Sequence, residues 1–294
     1  MIALLRLVLG LQAMLPLSVN QWLGRQLGML NNVFGSRAAE VTAANLALCL
    51  PDYSAPALKK LARESMRHTG MTALETPAVW LSDPSRKDAW LGEIENEHLL
   101  DAAMSSQSGT LVLLPHLGNW EMFNAYFARK GRMTALYQPP RQDWLKPFME
   151  TIRGDNLVAT NRQGLTTLYK KLSAGGVVTV LPDQVPLTGE YVPFFGQFAL
   201  TDRLVPRLLA KTGAKALLCV VYRDAGKFNV CFSQPDPEIY SDDLVTALTA
   251  LNRSIETSVL PHLAQYQWEY KRFRERPAGE KKLYKFKGKP DDYH

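Results

Sequence analysis

The sequence predicts an α/β protein: a mostly parallel central sheet covered by helices, preceded by an N-terminal helical hairpin with an affinity for membranes. Two textures carry that reading. After residue 108, short β-rich runs alternate with amphipathic stretches, as expected of a parallel sheet whose crossovers are helices. Before it, residues 1–108 lack such runs and show helical periodicity between capping residues and prolines. With 294 residues, 46% hydrophobic and 21% charged, the chain is too apolar for disorder and long enough for a substantial core.

The chain opens with a nearly uninterrupted apolar run from Met1, broken by Arg6, Gly10 and Gln12 and ended by Pro16. A helix of about 14 residues is roughly 21 Å long, short of the ~30 Å hydrocarbon layer. No small-residue cleavage site follows, which argues against a removable signal peptide. A second apolar helix spans about Val19–Val33 with Trp22, Leu23, Leu27 and Leu30. Residues 1–35 are expected either to dip into one leaflet, with marginal spanning as the limit, or to pack as an ordinary helix pair on the core. Ser36 caps the next helix, which Pro51 ends. Ser54, with Pro56 in the first turn, opens a long one through Leu58, Leu61, Met66 and Met71.

Strands are expected at Thr110–Leu114, Met133–Tyr137, Val177–Leu181, Ala216–Tyr222 and Phe228–Phe232. Helices fall near 119–130, 142–153, 163–174 and 202–212, with a last one near 241–265. Cys49, Cys219 and Cys231 sit in apolar runs and read as buried thiols rather than a disulfide framework. Net charge is +6, yet residues 271–289 hold nine Lys and Arg against two Glu, so the body is nearly neutral. The basic end reads either as a solvated tail or as a dock for anionic head groups or an acidic protein. No recognition motif accompanies it, so nucleic acid is not expected as a partner.

Ligands of such sheets bind beyond the carboxyl ends of the strands. There, strand Thr110–Leu114 runs into Pro115-His116-Leu-Gly-Asn-Trp-Glu121. On one continuous helix His116 and Glu121 would lie about 140° apart. They meet only if His116 is in the turn and Glu121 in the first helical turn, with Gly118 bending the chain and Asn119 as N-cap. Glu121 would then fix the imidazole tautomer and leave the other ring nitrogen to take a proton from an alcohol. The sequence has no Gly-x-Ser-x-Gly elbow, Cys/His nucleophile motif, metal-ligand spacing, P-loop or dinucleotide fingerprint. A base without an enzyme nucleophile suits direct transfer to a substrate hydroxyl.

His116-Leu-Gly-Asn-Trp-Glu121 resembles the His-x4-acid block of the lipid A late acyltransferases, lauroyl and myristoyl type, relatives of the lysophospholipid acyltransferases. Further blocks follow in order over nearly the whole chain: Asn45–Pro51, Tyr137-Gln-Pro139 with Arg153-Gly154, Val178–Gln184 with Val192–Gly196, and Tyr266–Phe273. Two positions depart from the family pattern, Gln138 where a basic residue is usual and Ala199–Arg203 in place of a Thr-rich stretch.

The resemblance implies an enzyme at the cytoplasmic face of the inner membrane that moves an acyl chain from acyl carrier protein to a hydroxyl of a lipid A precursor, with no metal or redox cofactor. It implies a catalytic pair, His116 and Glu121, and a role for Arg153 in positioning substrate or stabilising charge, against an ion pair at the surface. Asp183 and Gln184, at a strand end, are expected either to touch substrate or to cap the strand. Asn119 and Trp120 are expected at the substrate site. Trp120, Phe194 and Phe195 line an acyl channel or belong to the core. The chain so divides into a hairpin (1–35), an acyltransferase domain (36–276) and a basic tail (277–294). Other readings are a related acyltransferase with a glycolipid, aminolipid or pigment-precursor acceptor, or a non-catalytic basic protein of the membrane surface.

Overall fold

The computed structural model describes residues 2–131, 133–137 and 157–284. Two N-terminal helices, α1 (Ile2–Met14) and α2 (Leu17–Val33), precede α3 (Arg37–Cys49) and the long α4 (Ala55–Leu81). The serines cap as expected, Ser36 accepting from the Ala39 N–H and Ser54 from the Ala57 N–H. Then follow α5 (Pro84–Trp90), β1 (Leu91–Glu95), α6 (Glu97–Ser105), β2 (Thr110–Leu113), α7 (Met122–Phe127), β3 (Met133–Tyr137) and β4 (Leu157–Ala159). The chain continues through α8 (Arg162–Ser173), β5 (Val177–Val180), the hairpin of β6 (Glu190–Phe194) and β7 (Gln197–Thr201), α9 (Leu204–Thr212), β8 (Lys215–Asp224), β9 (Lys227–Ser233) and α10 (Leu244–Val259). The helix expected near 142–153 lies outside the described residues.

Seven strands form one sheet in the order β1-β9-β8-β2-β5-β3-β4. It is parallel except at the β8–β9 hairpin. Strands β2 and β5 are central and covered on both faces, which is why they read as unbroken apolar runs. One face packs Leu208, Leu248, Leu251 and Ile255 against Leu111, Leu113 and Val178. The other packs Ala78, Leu100, Phe123 and Phe127 against Val112, Leu217 and Phe232. Phe194 and Phe195 belong to the first core, so the core reading of these aromatics holds.

The hairpin packs on α4 by one face, as the helix-pair reading of residues 1–35 expects, and leaves another face exposed. Its inner face is fused to α4 by glycines: a Cβ added at Gly28 would stand 1.9 Å from the Met66 carbonyl oxygen, and one at Gly70 2.1 Å from that of Gly24. Only hydrogen fits at such backbone contacts. Its outer face leaves Leu7, Leu11, Met14, Trp22, Leu30, Val33 and Phe34 exposed. Among the described residues no helix is long and apolar enough to cross a membrane. At the other end, Tyr284 in the segment read as tail is buried, its hydroxyl donating to Asn45 Oδ1 at 2.6 Å. The chain beyond it lies outside the described residues.

Candidate active site

The site grows from two neighbouring strand ends. The register pairs Leu113 of β2 with Val180 of β5, and the Leu114 N–H donates to the Val180 carbonyl at 3.0 Å. Each chain then runs Leu-Pro and one polar residue: Leu114-Pro115-His116 beside Leu181-Pro182-Asp183. Equal offsets from paired residues bring the two polar groups together. His116 Nδ1 is 2.6 Å from Asp183 Oδ1, and the His116 backbone N–H donates to Asp183 Oδ2 at 2.8 Å. The carboxylate thus grips both the ring and the main chain of one residue.

That contact fixes the chemistry of the ring. With Nδ1–H donated to Asp183, Nε2 carries the lone pair and is the basic atom. Burial alone would push the Asp183 carboxyl up, but the adjacent imidazole and the N–H groups of His116 outweigh it and hold Asp183 below the usual carboxylate range. Behind it, burial and the Asp183 charge push the Tyr266 phenol well up, so it stays protonated beside the carboxylate.

Three corrections to the sequence reading follow. The carboxylate that takes His116 Nδ1 is Asp183, sixty-seven residues away, rather than Glu121. Asn119 does not cap the helix: it is buried and its side chain donates to Glu75 Oε2 at 3.2 Å. The helix starts later than expected, at Met122, with Glu121 in the N-cap position. Asp183 itself is 3% exposed and lies behind the imidazole. Glu121 instead accepts from Asn124 Nδ2 at 3.4 Å and stands in the wall of a cavity of about 410 Å³ that His116, Trp120 and Gln184 also line. Leu114, Leu136, Val180, Leu181 and Val205 make its apolar walls. A second cavity of about 390 Å³, with Val79, Trp80, Phe127 and Met133, meets the first at Glu121, Asn124, Ala135 and Leu157.

Trp120 packs edge-on against the imidazole, ring centroids 4.8 Å apart. Gln184 reaches the free ring nitrogen, Nε2 to Nε2 3.1 Å. Arg153 lies outside the described residues. Among the described residues no group of three or more His, Cys, Asp or Glu is arranged to hold a metal.

The turn after His116 is locked from behind, chiefly by Thr72, Glu75 and Arg223, which no motif marks. Gly118 has φ +62°, and a Cβ there would lie 1.9 Å from the Val221 carbonyl oxygen. Its own carbonyl accepts from Thr72 Oγ1 at 2.8 Å and Arg223 Nη2 at 3.3 Å. Arg223 in turn is paired with the fully buried Glu75, Nη2 to Oε2 2.6 Å. From the other side, the Gly118 N–H donates to the Gln265 carbonyl and the Gln267 N–H to the His116 carbonyl, at 2.9 and 3.0 Å. Asn45 ties the first of the family-like blocks to the last, Nδ2 donating to the Trp268 carbonyl at 2.7 Å and that of Tyr270 at 2.9 Å. Buried polar residues thus join α4, β8 and the C-terminal segment around one turn.

Comparison with known proteins decides what this arrangement belongs to. The model of the bacterial lipid A biosynthesis acyltransferases matches residues 2–275. The chain belongs to that family. Its relatives include the lipid A biosynthesis palmitoleoyltransferase of Escherichia coli K12, 28% identical over 94% of this chain and 92% of the relative. The lauroyltransferase of the same organism is 27% identical over 92% of this chain and 90% of the relative. The Haemophilus influenzae lipid A biosynthesis acyltransferase is 23% identical over 90% and 86%. The chain is therefore an enzyme of acyl transfer in lipid A biosynthesis, and its His116 is held by Asp183 at the edge of a cavity.

Proposed function

We propose that the enzyme moves a fatty acyl group from an acyl carrier protein thioester to a hydroxyl of a lipid A precursor, by general-base direct transfer. The observation that carries this reading is the Asp183–His116 pair, which leaves Nε2 as a lone-pair nitrogen on a largely apolar cavity. The acceptor hydroxyl gives its proton to Nε2 as its oxygen attacks the thioester carbonyl. The tetrahedral adduct collapses, the C–S bond breaks, and the leaving thiolate takes the proton back from the imidazolium. An ester and a free carrier thiol result. Asp183 stabilises the imidazolium from behind, and Glu121 adds negative charge on the substrate side of the same cavity. Arg153, carried over from the family resemblance, is assigned to the acceptor phosphate or the oxyanion, roles a guanidinium suits.

The second part of the proposal is place: the cytoplasmic face of the inner membrane, reached through the exposed apolar face of α1 and α2. Trp22→Glu with Phe34→Glu is expected to reduce flotation with anionic vesicles without lowering the melting temperature. Unchanged flotation removes the hairpin from membrane binding.

The reaction is tested with purified protein, lauroyl–acyl carrier protein and a tetraacylated lipid A precursor. Mass spectrometry should show a product heavier by one acyl group, lost in a folded His116→Ala variant. Activity near wild type in that variant removes His116 from the chemistry. A product formed only with a different glycolipid, aminolipid or pigment precursor moves the enzyme to another acceptor, and lipid binding with no transfer leaves a non-catalytic surface protein.

A further inference from the structure

We propose that Gln184 is the residue that makes the enzyme choose an alcohol over water; this rests on the acyl-transfer reading above. His116 Nε2 is the working atom of the base, because Nδ1 is committed to Asp183. That atom is covered: Gln184 Nε2 lies 3.1 Å from it and 3.3 Å from Gln267 Oε1. A primary amide nitrogen has two hydrogens to give. One goes to the imidazole lone pair and the other to Gln267, so the geometry spends both.

An amide N–H on Nε2 is an inert placeholder, since it cannot be deprotonated at any working pH. Water in the same position would not be inert. It would pass a proton to Nε2 while its oxygen attacks the thioester carbonyl. The C–S bond would break, the thiolate would leave with the imidazolium proton, and the acyl group would be lost as a free fatty acid. Trp120 covers a further side of the imidazole, in a T-shaped ring contact.

The neighbouring residues divide this work. Asp183 is buried and fixed, while Gln184, next in sequence, is exposed and joined to Gln267 by a single side-chain bond. Gln184 can therefore swing out without unpacking the core. A lipid acceptor that fills the cavity and brings its own hydroxyl to Nε2 replaces the bond Gln184 gives up there and adds contacts along the cavity walls. A lone water adds no contacts along the cavity walls and gains less by displacing it.

The test compares wild type, Gln184→Ala and Gln267→Leu with lauroyl–acyl carrier protein, measuring free laurate without acceptor and ester formed at saturating acceptor. Losing a hydrogen-bonded guard of this kind is expected to raise the acceptor-free hydrolysis rate of Gln184→Ala by about tenfold, and that of Gln267→Leu by about threefold. The ratio of hydrolysis to transfer rises with it, the acceptor KM falls, and adding His116→Ala to Gln184→Ala abolishes the hydrolysis. Hydrolysis that stays at the wild-type rate, or falls in step with transfer, overturns the proposal. Should Gln184→Ala melt early, Gln267→Leu, which leaves Gln184 in place, decides it by the same ratio. Failure of the wild type to form ester at all would count against the acyl-transfer reading rather than against the guard.

Discussion

Asp183 and Glu121 are the two carboxylates of the site, and the protein treats them in opposite ways. Asp183 is gripped by the His116 ring and main chain, enclosed by the C-terminal segment and closed to solvent. Glu121 stands at the start of a short helix, in the wall that separates two cavities. One carboxylate is set into the scaffold and fixes the imidazole; the other faces the cavity. Proximity in sequence favours the pair five residues apart, but a hydrogen bond follows proximity in the sheet. A carboxylate buried behind an imidazole acts on its tautomer and charge, whereas one on a cavity wall acts on what enters.

The largest effect should come from removing the buried charge alone. Asp183→Asn keeps the shape but presents an amide to Nδ1, and kcat should fall by about 10³–10⁴ with little change in acceptor KM. A loss below tenfold would move the orienting role elsewhere. Next is the support behind the turn: Arg223→Met leaves Glu75 buried and unpaired, and should cost about 3–5 kcal/mol of stability in urea unfolding. An unchanged midpoint would show that the turn does not depend on α4. Glu121→Gln should be milder than Asp183→Asn, lowering kcat/KM by roughly 10–100-fold with the fold intact. An equal or larger loss in kcat would erase the contrast between the two carboxylates.

The last effect is on stability alone, a pH dependence on the scaffold side. Burial, with the charges of Arg223 and Arg25, pushes His68 of α4 down to about 3 from an ordinary 6.5. The unfolded chain therefore binds a proton near pH 6.5 that the folded one refuses, so stability is full above that pH and drains away as it falls towards 3. Between pH 7 and 4, wild type should lose about 2–3 kcal/mol more than His68→Gln. Parallel losses in the two proteins would remove His68 from the acid sensitivity.

The alternation of apolar runs and amphipathic stretches made the sheet legible, and the observed β2, β3, β5, β8 and β9 lie where that texture puts them. Three of the four missed strands have physical reasons. Leu91–Glu95 carries a glycine and two glutamates on a sheet edge, Leu157–Ala159 has three residues, and Pro193 interrupts the alternation of Glu190–Phe194. His116 stood out because a strand delivers it to a turn. Its partner did not, because β-pairing is a non-local fact. One signal was present: Leu-Pro before a polar residue ends both strands, and in a parallel pair in register such equal endings bring those residues side by side. Glu75 and Arg223 carry no such mark, since an ion pair between a helix and a distant strand leaves no spacing to read.

The glycine contact of α2 on α4 has a consequence for where the reaction takes place. Gly70, which α2 presses against, and Thr72 and Glu75, which hold the turn after His116, share one helix within five residues. That span is about 7.5 Å of rigid rod. If the outer face of the hairpin rests on lipid, α4 becomes a depth gauge, setting the height of the imidazole above the plane of the head groups. Hydroxyls at that height would be acylated and others passed over, so part of the choice of acceptor would be written into the length of a helix rather than the shape of a pocket.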